Sequence, residues 1–464
     1  QNVLQTTKTV DEDGEIVKYY YSIGGGDYIE STNSSYTFTK LKANTEYSVT
    51  VRVENQSGLV SPKIIKKVKT KVLETPKYEP PTKDDDEKEF EYFEEYNLVI
   101  NFPSTGIENP EYYFKTTAPA TVKEGVVVAI CGTDTIPTNC TPGTVTDLVP
   151  NVWYKTNDAT IEVKYVNNGT LYTYVTDGVN ELPPSTFVVS GVDPTGPTCQ
   201  IVINEEEIKT SEVTIKADCY DLESGMAKYE FSSDGGNTWK DNGKTDTYTF
   251  TKLTSSTNYT FKVRGYNGAG VYTEDSKTAT PIGFKNPTIV ESSRVSNEKD
   301  ENGEYKYAYA TSRTIKISYN DSKVSTPEYF FKTSVGATVS TGVVVGSCGT
   351  GTAPGTCVTS NATSLVANTW YKTNKMALEI IYASDGTLYA AIGDGTNVSG
   401  ASTYVVSQID VSEPTASLVI DDAKTSSTSL KATCSDNQSE IIKYEFSKDD
   451  GATWVVNNKT NTLC

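Results

Sequence analysis

The feature that most constrains this chain is a stretch of short alternating runs that occurs three times, starting at Lys18, Lys228 and Lys443. In each occurrence apolar residues alternate with polar ones over a few positions, and Gly, Asp, Asn or Ser residues separate the runs. Such period-two alternation, broken by turn residues, predicts half-buried antiparallel strands. Because Tyr is also frequent, with 31 residues, and Met nearly absent, with 2, we predict an all-β chain.

A longer repeat contains these stretches. Cys131 and Cys348 lie 217 positions apart, and Trp153 and Trp370 are separated by the same 217 positions. This spacing predicts a tandem unit made of two domain types, consistent with several domains in a chain of 464 residues. The predicted segments are 1–73, a linker at 74–95 that is acidic and contains proline, 96–192, 193–283, 284–409 and 410–464.

The first and last segments are predicted to be incomplete copies. Segment 1–73 has no counterpart of residues 199–204, and segment 410–464 covers only part of its copy. An incomplete sandwich exposes strand edges and part of its core. We therefore expect either further modules of the same array or strand donation by a second copy in a head-to-tail polymer.

Composition excludes several classes of function. The formal net charge of −19, from 41 basic and 60 acidic residues, argues against nucleic acid as a partner, because phosphate binding needs Lys and Arg. The sequence has no histidine, which removes Ser-His and Cys-His nucleophile pairs and His-ligated metals. Chemistry based on carboxylates alone stays open. No apolar run reaches membrane-spanning length, and we predict that the chain is not an enzyme.

The eight cysteines predict disulfides. Two pairs enclose loops of equal length in equivalent segments, and no CxxC pair favours a metal site. When the three occurrences are compared, each carries either no cysteine or two, which predicts two more pairs within their own segments. The predicted disulfides are Cys131–Cys140, Cys348–Cys357, Cys199–Cys219 and Cys434–Cys464. Disulfides indicate an oxidising compartment, so the chain is expected to be extracellular or at a cell surface.

Two motifs carry a resemblance to known families. The stretch TFTKLTSSTNYTFKVRGYNGAG, residues 249–270, resembles fibronectin type III domains. The stretches around DLESGMAKYEFSSDGGNTW and VDPTGPT look like bacterial Ig-like repeats of large surface proteins. The resemblance implies a tandem array of Ig-like or fibronectin type III-like β-sandwiches, with Tyr47 and Tyr259 as tyrosine-corner residues whose hydroxyls bond nearby backbone. Segment 96–192 is placed as Ig-like by its size and its number of predicted strands.

Trp239 and Trp454 are the candidate ligand-stacking residues. Exposed aromatic side chains on sandwich faces can stack on sugars, which makes both residues candidate glycan contacts. Packing against a neighbouring strand or domain is the favoured interpretation. The Asp-Gly-Gly sequence before Trp239 is interpreted as turn chemistry, because glycine supplies the positive φ that a tight hairpin needs.

Aspartates recur near the predicted segment boundaries. They are Asp193, Asp221, Asp410 and Asp436. Carboxylate oxygens are calcium ligands, so Ca²⁺ at the module junctions is an open alternative to the prediction that the chain binds no cofactor. The acidic run Asp84–Asp86 is predicted to be a solvated loop, because calcium needs six or more oxygens from a shaped loop and no EF-hand spacing occurs.

Together these patterns predict a non-catalytic extracellular repeat protein that forms a rod-like stalk, adhesin shaft or fibre. Its expected partners are neighbouring copies or further modules of the same array. Three alternatives stay open: a module that binds a glycan or a host protein, an accessory region of a secreted carbohydrate-active enzyme, and a phage virion fibre. No motif in the sequence names a ligand or a reaction.

Overall fold

The computed structural model describes residues 3–5, 15–85, 88–424 and 426–463. In this part of the chain the regular structure is antiparallel β-sheet, with isolated 3-10 turns such as Glu205–Glu207. The strands form five consecutive modules, here numbered 1 to 5, of two alternating types. Modules 1, 3 and 5 are type A, and modules 2 and 4 are type B. The predicted all-β array of sandwiches is confirmed.

Module 1 pairs a four-stranded sheet, ordered β3-β2-β5-β6, with a two-stranded one, β1-β4. Its strands are β1 Val3–Gln5, β2 Ile16–Ile23, β3 Ile29–Ser31, β4 Ser35–Thr37, β5 Glu46–Asn55 and β6 Ile64–Lys69. The alternation of β5 puts Val49, Val51 and Val53 inside, against the fully buried Tyr21 of β2. Burying alternate β-branched residues on one face is what favours this strand over helix.

Module 2 is a sandwich of a five-stranded sheet, β13-β10-β15-β8-β7, and a six-stranded sheet, β12-β11-β14-β9-β16-β17. Its first strands are β7 Lys77–Glu79, β8 Tyr96–Asn101, β9 Glu111–Thr116, β10 Ala120–Glu124, β11 Val127–Ile130 and β12 Thr141–Pro142. The others are β13 Asp147–Leu148, β14 Tyr154–Thr156, β15 Thr160–Tyr165, β16 Gly169–Thr176 and β17 Ser185–Val189. Leu98 and Ile100 of β8 pair with Val163 and Ile161 of the neighbouring strand β15, and all four side chains lie in a core that solvent does not reach.

Module 3 is the most complete type A module. One sheet is ordered β18-β19-β22 and the other β21-β20-β23-β24. The strands are β18 Thr198–Ile203, β19 Val213–Tyr220, β20 Met226–Ser232, β21 Lys240–Asp241, β22 Thr247–Phe250, β23 Tyr259–Asn267 and β24 Tyr272–Ala279. Ile201 and Ile215 from the first sheet meet Phe231, Phe261 and Val263 from the second, and all five side chains are buried.

Module 4 repeats the two sheets of module 2, as β25-β26-β33-β28-β31 and β30-β29-β32-β27-β34-β35. Its strands are β25 Thr288–Val295, β26 Ser312–Ser318, β27 Glu328–Thr333, β28 Ala337–Thr341, β29 Val344–Ser347 and β30 Val358–Thr359. They continue with β31 Ser364–Leu365, β32 Trp370–Thr373, β33 Ala377–Tyr382, β34 Gly386–Gly393 and β35 Ser402–Val406.

Module 5 repeats the first five strand positions of module 3. The strands are β36 Thr415–Ala423, β37 Thr428–Ser435, β38 Glu445–Phe446, β39 Val455–Val456 and β40 Thr462–Leu463. The registers agree as well: Ala416 pairs with Cys434 where Cys199 pairs with Cys219. The segments that repeat in the sequence therefore also pair their strands in the same register.

The predicted linker 74–95 is partly a strand. Residues Lys77–Glu79 form β7, which pairs antiparallel with β8 and extends a sheet of module 2. Tyr78 is half-buried there, packs on Phe187, and its hydroxyl lies 2.6 Å from Thr173 Oγ1. Tyr78 is an inward-facing aromatic residue between charged neighbours, and its packing helps to hold the strand on the sheet. Asp84 and Asp85 are exposed, as expected for a solvated loop, and Asp86 lies outside the described residues.

A tyrosine corner occurs in each of modules 1 to 4. In type A modules the backbone N–H of Lys42 donates to Tyr47 Oη, and that of Thr254 to Tyr259 Oη, both over 2.9 Å. This confirms the corner that the fibronectin resemblance implies. The same bond occurs in type B modules, where the sequence analysis did not place it: Val149 N–H to Tyr154 Oη and Val366 N–H to Tyr371 Oη. The turn residues at positive φ are Asn44, Asn151, Ser256 and Asn368.

Three of the four predicted disulfides are confirmed: Cys131–Cys140, Cys199–Cys219 and Cys348–Cys357. The fourth, Cys434–Cys464, involves Cys464, which lies outside the described residues. Cys434 is a free thiol, and the register of β40 puts Leu463 opposite Leu430. The pairing of Cys434 with Cys464 therefore stays a prediction.

Candidate functional site: the module junctions

The junction between modules 1 and 2 is fastened by one asparagine side chain. Asn180 Nδ2 donates to the backbone oxygen of Leu41 over 3.0 Å, and its Oδ1 accepts the N–H of Ala43 over 2.8 Å. Both partners lie in the tyrosine-corner turn of module 1. Asp177 holds the asparagine in place, because its Oδ1 accepts the backbone N–H groups of Val179 and Asn180. We call this arrangement the asparagine clamp.

The same clamp recurs 217 positions later, between modules 3 and 4. Asn397 Nδ2 donates to Leu253 O over 2.9 Å, and Asn397 Oδ1 accepts the N–H of Ser255 over 3.4 Å. Asp394 is almost fully buried and accepts the N–H groups of Thr396 and Asn397. Burial alone raises the pKa of Asp394, but the hydrogen bonds it accepts outweigh burial, so its pKa lies below the ordinary value.

The junction between modules 2 and 3 is centred on a buried carboxylate. Asp193 is 1% exposed and accepts the N–H and the hydroxyl of Thr195 on one oxygen. Its other oxygen accepts the hydroxyl of Ser224 over 2.6 Å and Asn267 Nδ2 over 2.9 Å. Burial raises the pKa of Asp193, while the donors from Ser224 and Thr195 lower it more, and the pKa lies below its ordinary value. Four donors therefore satisfy this buried charge.

Residues 88–95, here called the strap, cross this junction from module 2 to module 3. The N–H of Tyr92 donates to Gly268 O over 2.8 Å, and the ring of Phe90 stacks on Tyr266 with centroids 6.2 Å apart. Gly270 has a φ of +86°, and a Cβ there would lie 3.0 Å from the Phe90 ring, so this turn favours glycine. The predicted linker thus acts as a junction contact.

The calcium hypothesis has a geometric basis at this junction. Asp193, Asp221 and Glu223 bring one carboxylate oxygen each within 4.8 Å of one another. However, Asp221 Oδ1 accepts the N–H groups of Glu223, Ser224 and Gly225, which is ordinary turn capping. At the junction of modules 4 and 5, Asp410 and Asp436 cap their own turns in the same way, through the N–H groups of Ser412, Gln438 and Ser439. Calcium at these junctions stays an open alternative to the prediction that the chain binds no cofactor.

Trp239 packs within its own module. The guanidinium of Arg264 lies over its ring at 3.9 Å, and Arg264 Nε donates to Glu274 over 2.6 Å. A ring face covered in this way is a cation–π contact rather than an open sugar platform. Trp454 differs, since 58% of it is exposed.

Modules 1 and 3 each contain a hydrogen bond between a tyrosine and a glutamate on equivalent neighbouring strands, but the two residue types have exchanged strands. In module 3 the hydroxyl of Tyr266 on β23 donates to Glu230 on β20 over 2.8 Å. In module 1 the tyrosine is on the other strand: Tyr20 on β2 donates to Glu54 on β5. The sequence analysis missed this pair. Alignment of the two copies would have revealed the pair, because Tyr20 aligns with Glu230 and Glu54 aligns with Tyr266.

Comparisons with known proteins assign this chain to no family. No protein-family model and no curated protein sequence matches this chain. Among solved structures, a tetra-tandem repeat from the extending region of a large adhesion protein is 12% identical, with 86% of this chain and 92% of that chain covered and a TM-score of 0.28. The fibronectin(III)-like modules of CbhA from Clostridium thermocellum are 14% identical, with 44% and 91% covered and a TM-score of 0.17.

The chitinase ChiA74 from Bacillus thuringiensis is also similar, at 15% identity and a TM-score of 0.18. The match covers 47% of this chain and 30% of the chitinase chain. At these values the likenesses carry no argument about function, and the sandwich assignment rests on the strand pairing given above. In the described part of the chain, no helix has the length and apolar character needed to cross a membrane.

Proposed function

We propose that this chain is a non-catalytic, extracellular array of β-sandwiches that acts as a stiff spacer, as in a surface stalk, adhesin shaft or fibre. The observation that carries the proposal is the asparagine clamp, which occurs at both A-to-B junctions with the same donors and acceptors. An asparagine that bonds the backbone of the preceding module through both its amide nitrogen and its amide oxygen fixes orientation, because each bond constrains both partners. A chain of joints fixed in this way resists bending, which is the property a spacer needs.

Three further observations support this proposal. The confirmed disulfides are typical of proteins from oxidising compartments. The net charge of −19 favours solubility of a long particle. Arg264 covers a ring face of Trp239, one of the two candidate stacking residues, and at this residue that favours the spacer over a glycan-binding module.

Small-angle scattering of the 464-residue chain tests the proposal. We expect an elongated particle with a stiff profile, and the double variant Asn180→Ala/Asn397→Ala should show increased flexibility at unchanged secondary structure. Asn302→Ala, on an exposed loop away from both clamps, is the matched control. A compact wild-type particle, or a flexible profile that the double variant does not change, would contradict the proposal. Glycan-array binding by the wild-type chain would favour the binding module instead.

A further inference from the structure

Module 1 carries a cluster of lysines in a chain whose net charge is −19. Residues 61–72, which include β6, contain five lysines and no acidic residue, and the tyrosine-corner turn adds two more lysines. The turn is held beside the end of β6, because Thr70 Oγ1 donates to the backbone oxygen of Lys42 over 2.6 Å. We call these seven exposed residues the basic patch: Lys40, Lys42, Lys63, Lys66, Lys67, Lys69 and Lys71.

Module 3 shows that the exposure of these positions belongs to the edge strand and the corner turn. There β24 takes the place of β6, and the strand registers match Lys67 with Thr278. The tyrosine corner matches Lys42 with Thr254. Both threonines are exposed in module 3, where β18 is part of the first sheet. Because uncharged residues serve at these positions in module 3, the fold does not require the positive charges.

A segment of opposite charge lies at the other end of module 2. Residues 84–95 contain eight acidic residues and one lysine, whereas the equivalent residues 301–312 contain two glutamates and one lysine. Both segments form the same parallel bridge within their modules, Phe93 with Val192 and Ala310 with Ile409, so this bridge does not require the acidic residues. The exposed acidic residues, here called the acidic patch, are Asp84, Asp85, Glu89, Glu91, Glu94 and Glu95.

The two patches are too far apart to neutralise each other within one chain. Lys71 reaches module 2 at the first junction, since a Cβ on Gly106 would lie 2.8 Å from its Cδ. The strap lies at the second junction, where Phe90 stacks on Tyr266. Strand β8, which covers only part of this distance, is about 20 Å long at about 3.3 Å per residue. Exposed charges farther apart than the Debye length, about 8 Å at physiological ionic strength, are largely screened.

We propose that the basic patch of one copy binds the acidic patch of a second copy of this chain. The local charges decide such a contact, because repulsion between the other negative charges of the two copies is screened beyond a Debye length. Complementary charges on facing surfaces also fix orientation and suppress other pairings. Since every copy carries both patches, the contact links copies side by side. The inference goes beyond the proposed spacer, which concerns the joints within one chain.

Lysines on an edge strand also have a role that needs no partner, since they discourage edge-to-edge pairing of strands. That role accounts for the lysines of β6. It does not account for Lys40 and Lys42, which lie in a turn, and it requires no acidic counterpart. Exchanging the charges of the two patches separates the two interpretations.

Sedimentation velocity of the 464-residue chain tests the contact. At about 0.01 M ionic strength we expect concentration-dependent association of the 50.5 kDa chain. At about 1 M, where the Debye length falls from about 30 Å to about 3 Å, it should weaken at least about tenfold. Lys63→Glu/Lys66→Glu/Lys69→Glu should abolish self-association, and so should Asp84→Lys/Glu91→Lys/Glu94→Lys. These changes leave the ion pairs Lys67–Glu46 and Glu89–Lys228 in place.

The decisive measurement mixes the two variants. One variant has two acidic patches and the other two basic ones, while both chains keep a net negative charge, so we expect the mixture to associate and neither variant to associate alone. Lys123→Glu/Lys244→Glu/Lys285→Glu makes the same change of charge at exposed positions elsewhere, and this matched control should keep the self-association. Far-ultraviolet circular dichroism checks that each variant is folded.

Three results would overturn the proposal: a wild-type chain that stays monomeric at low ionic strength, a reversed variant that still associates alone, or a mixture that does not associate. The scattering profile that tests the spacer is measured at high ionic strength, where the chains are separate. Failure of the contact between copies is therefore distinguishable from failure of the joints within one chain.

Discussion

Modules 2 and 3 share a sandwich, a tyrosine corner and a disulfide, yet the two disulfides lie in different layers. In module 3, Cys199–Cys219 joins the neighbouring strands β18 and β19 inside the module. The opposite strand has to leave room for the sulfur atoms. A Cβ on Gly265 of β23 would lie 2.5 Å from Cys199 Sγ and 2.8 Å from Cys219 Sγ. Module 1, whose described residues hold no disulfide, has Val53 at the matching position.

In module 2 the disulfide lies outside the sandwich. Cys131–Cys140 closes a loop over the outer face of the six-stranded sheet, where Trp153 is fully buried and its Nε1 donates to Asp134 O over 2.9 Å. The ammonium of Lys115 lies 4.7 Å from the same ring. Module 4 repeats the arrangement around Trp370. A disulfide inside the sandwich thus limits the size of the side chain on the opposite strand. A disulfide in a loop adds a third layer over the sheet and does not limit the side chains of the core.

The strongest test of this contrast is Gly265→Val, which introduces the side chain of module 1 into module 3. Because the new Cβ meets two sulfur atoms, we expect a loss of roughly 3 kcal/mol of stability in module 3. Hydrogen exchange measured by mass spectrometry should show β23 opening while module 2 keeps its protection. Combining the change with Cys199→Ala and Cys219→Ala should recover most of the protection. Full protection in the single variant would contradict the explanation.

The second test moves the core disulfide into module 5. Ala416 pairs with Cys434 in the register that joins Cys199 to Cys219, so Ala416→Cys should form a disulfide with Cys434 without a reducing agent. The chain-entropy model gives about 3 kcal/mol of stabilisation for a loop of this size. Non-reducing peptide mapping detects the bond, and Ser417→Cys, one residue out of register, is the control. Free thiols at both positions would show that the assigned register is wrong.

The third test removes the loop disulfide of module 2. Cys131→Ser/Cys140→Ser should cost roughly 2–3 kcal/mol in the chain-entropy model and let the loop leave Trp153. We expect a red shift of tryptophan emission and easier quenching by acrylamide. A Trp153→Phe background identifies the residue responsible, since its loss should abolish the change. An unchanged spectrum would mean that the loop covers Trp153 without its disulfide.

The smallest expected effect concerns pH at the junction of modules 2 and 3. Because the pKa of Asp193 is below its ordinary value of 3.8 in the folded chain, the unfolded chain binds the proton more readily. The stabilisation by Asp193 is therefore present above about pH 4 and is lost as the pH falls further. Exchange protection of the Asn267 side-chain amide should follow that loss. In Asp193→Asn this pH dependence should disappear, and its persistence would assign it to another group.

Local patterns in the sequence were sufficient for most of the fold. Alternation predicted the strands, and the equal spacing of Cys131–Cys140 and Cys348–Cys357 predicted two bridges that the structure confirms. The pairing of Cys434 with Cys464 depends on the register of β40, which no local pattern specifies, and it stays a prediction because Cys464 lies outside the described residues. Strand β7 was missed because one inward-facing residue, Tyr78, stands among charged ones.

The candidate site was harder to predict because its contacts are distant in sequence. Asn180 and Leu41 are 139 positions apart, and nothing near either residue indicates the other. The only signal is the recurrence of Asp-Gly-x-Asn at residues 177–180 and 394–397. Such a turn is as compatible with an isolated loop as with a junction. The position of Asp193 in the sequence, in contrast, was sufficient to place it near a module boundary. Its four hydrogen-bond donors could not be predicted from the sequence.

The measurement that tests the central claim most directly is amide exchange at Ala43 and Thr45, two neighbours in the corner of module 1. The N–H of Ala43 donates across the junction to Asn180, whereas that of Thr45 donates within module 1 to Thr70 Oγ1. Our account predicts that both amides are protected in the wild-type chain. It predicts that Asn180→Ala speeds exchange at Ala43 about tenfold, equivalent to about 1.4 kcal/mol, and leaves Thr45 unchanged. Unprotected exchange at Ala43 in the wild-type chain would contradict a fixed joint between the modules.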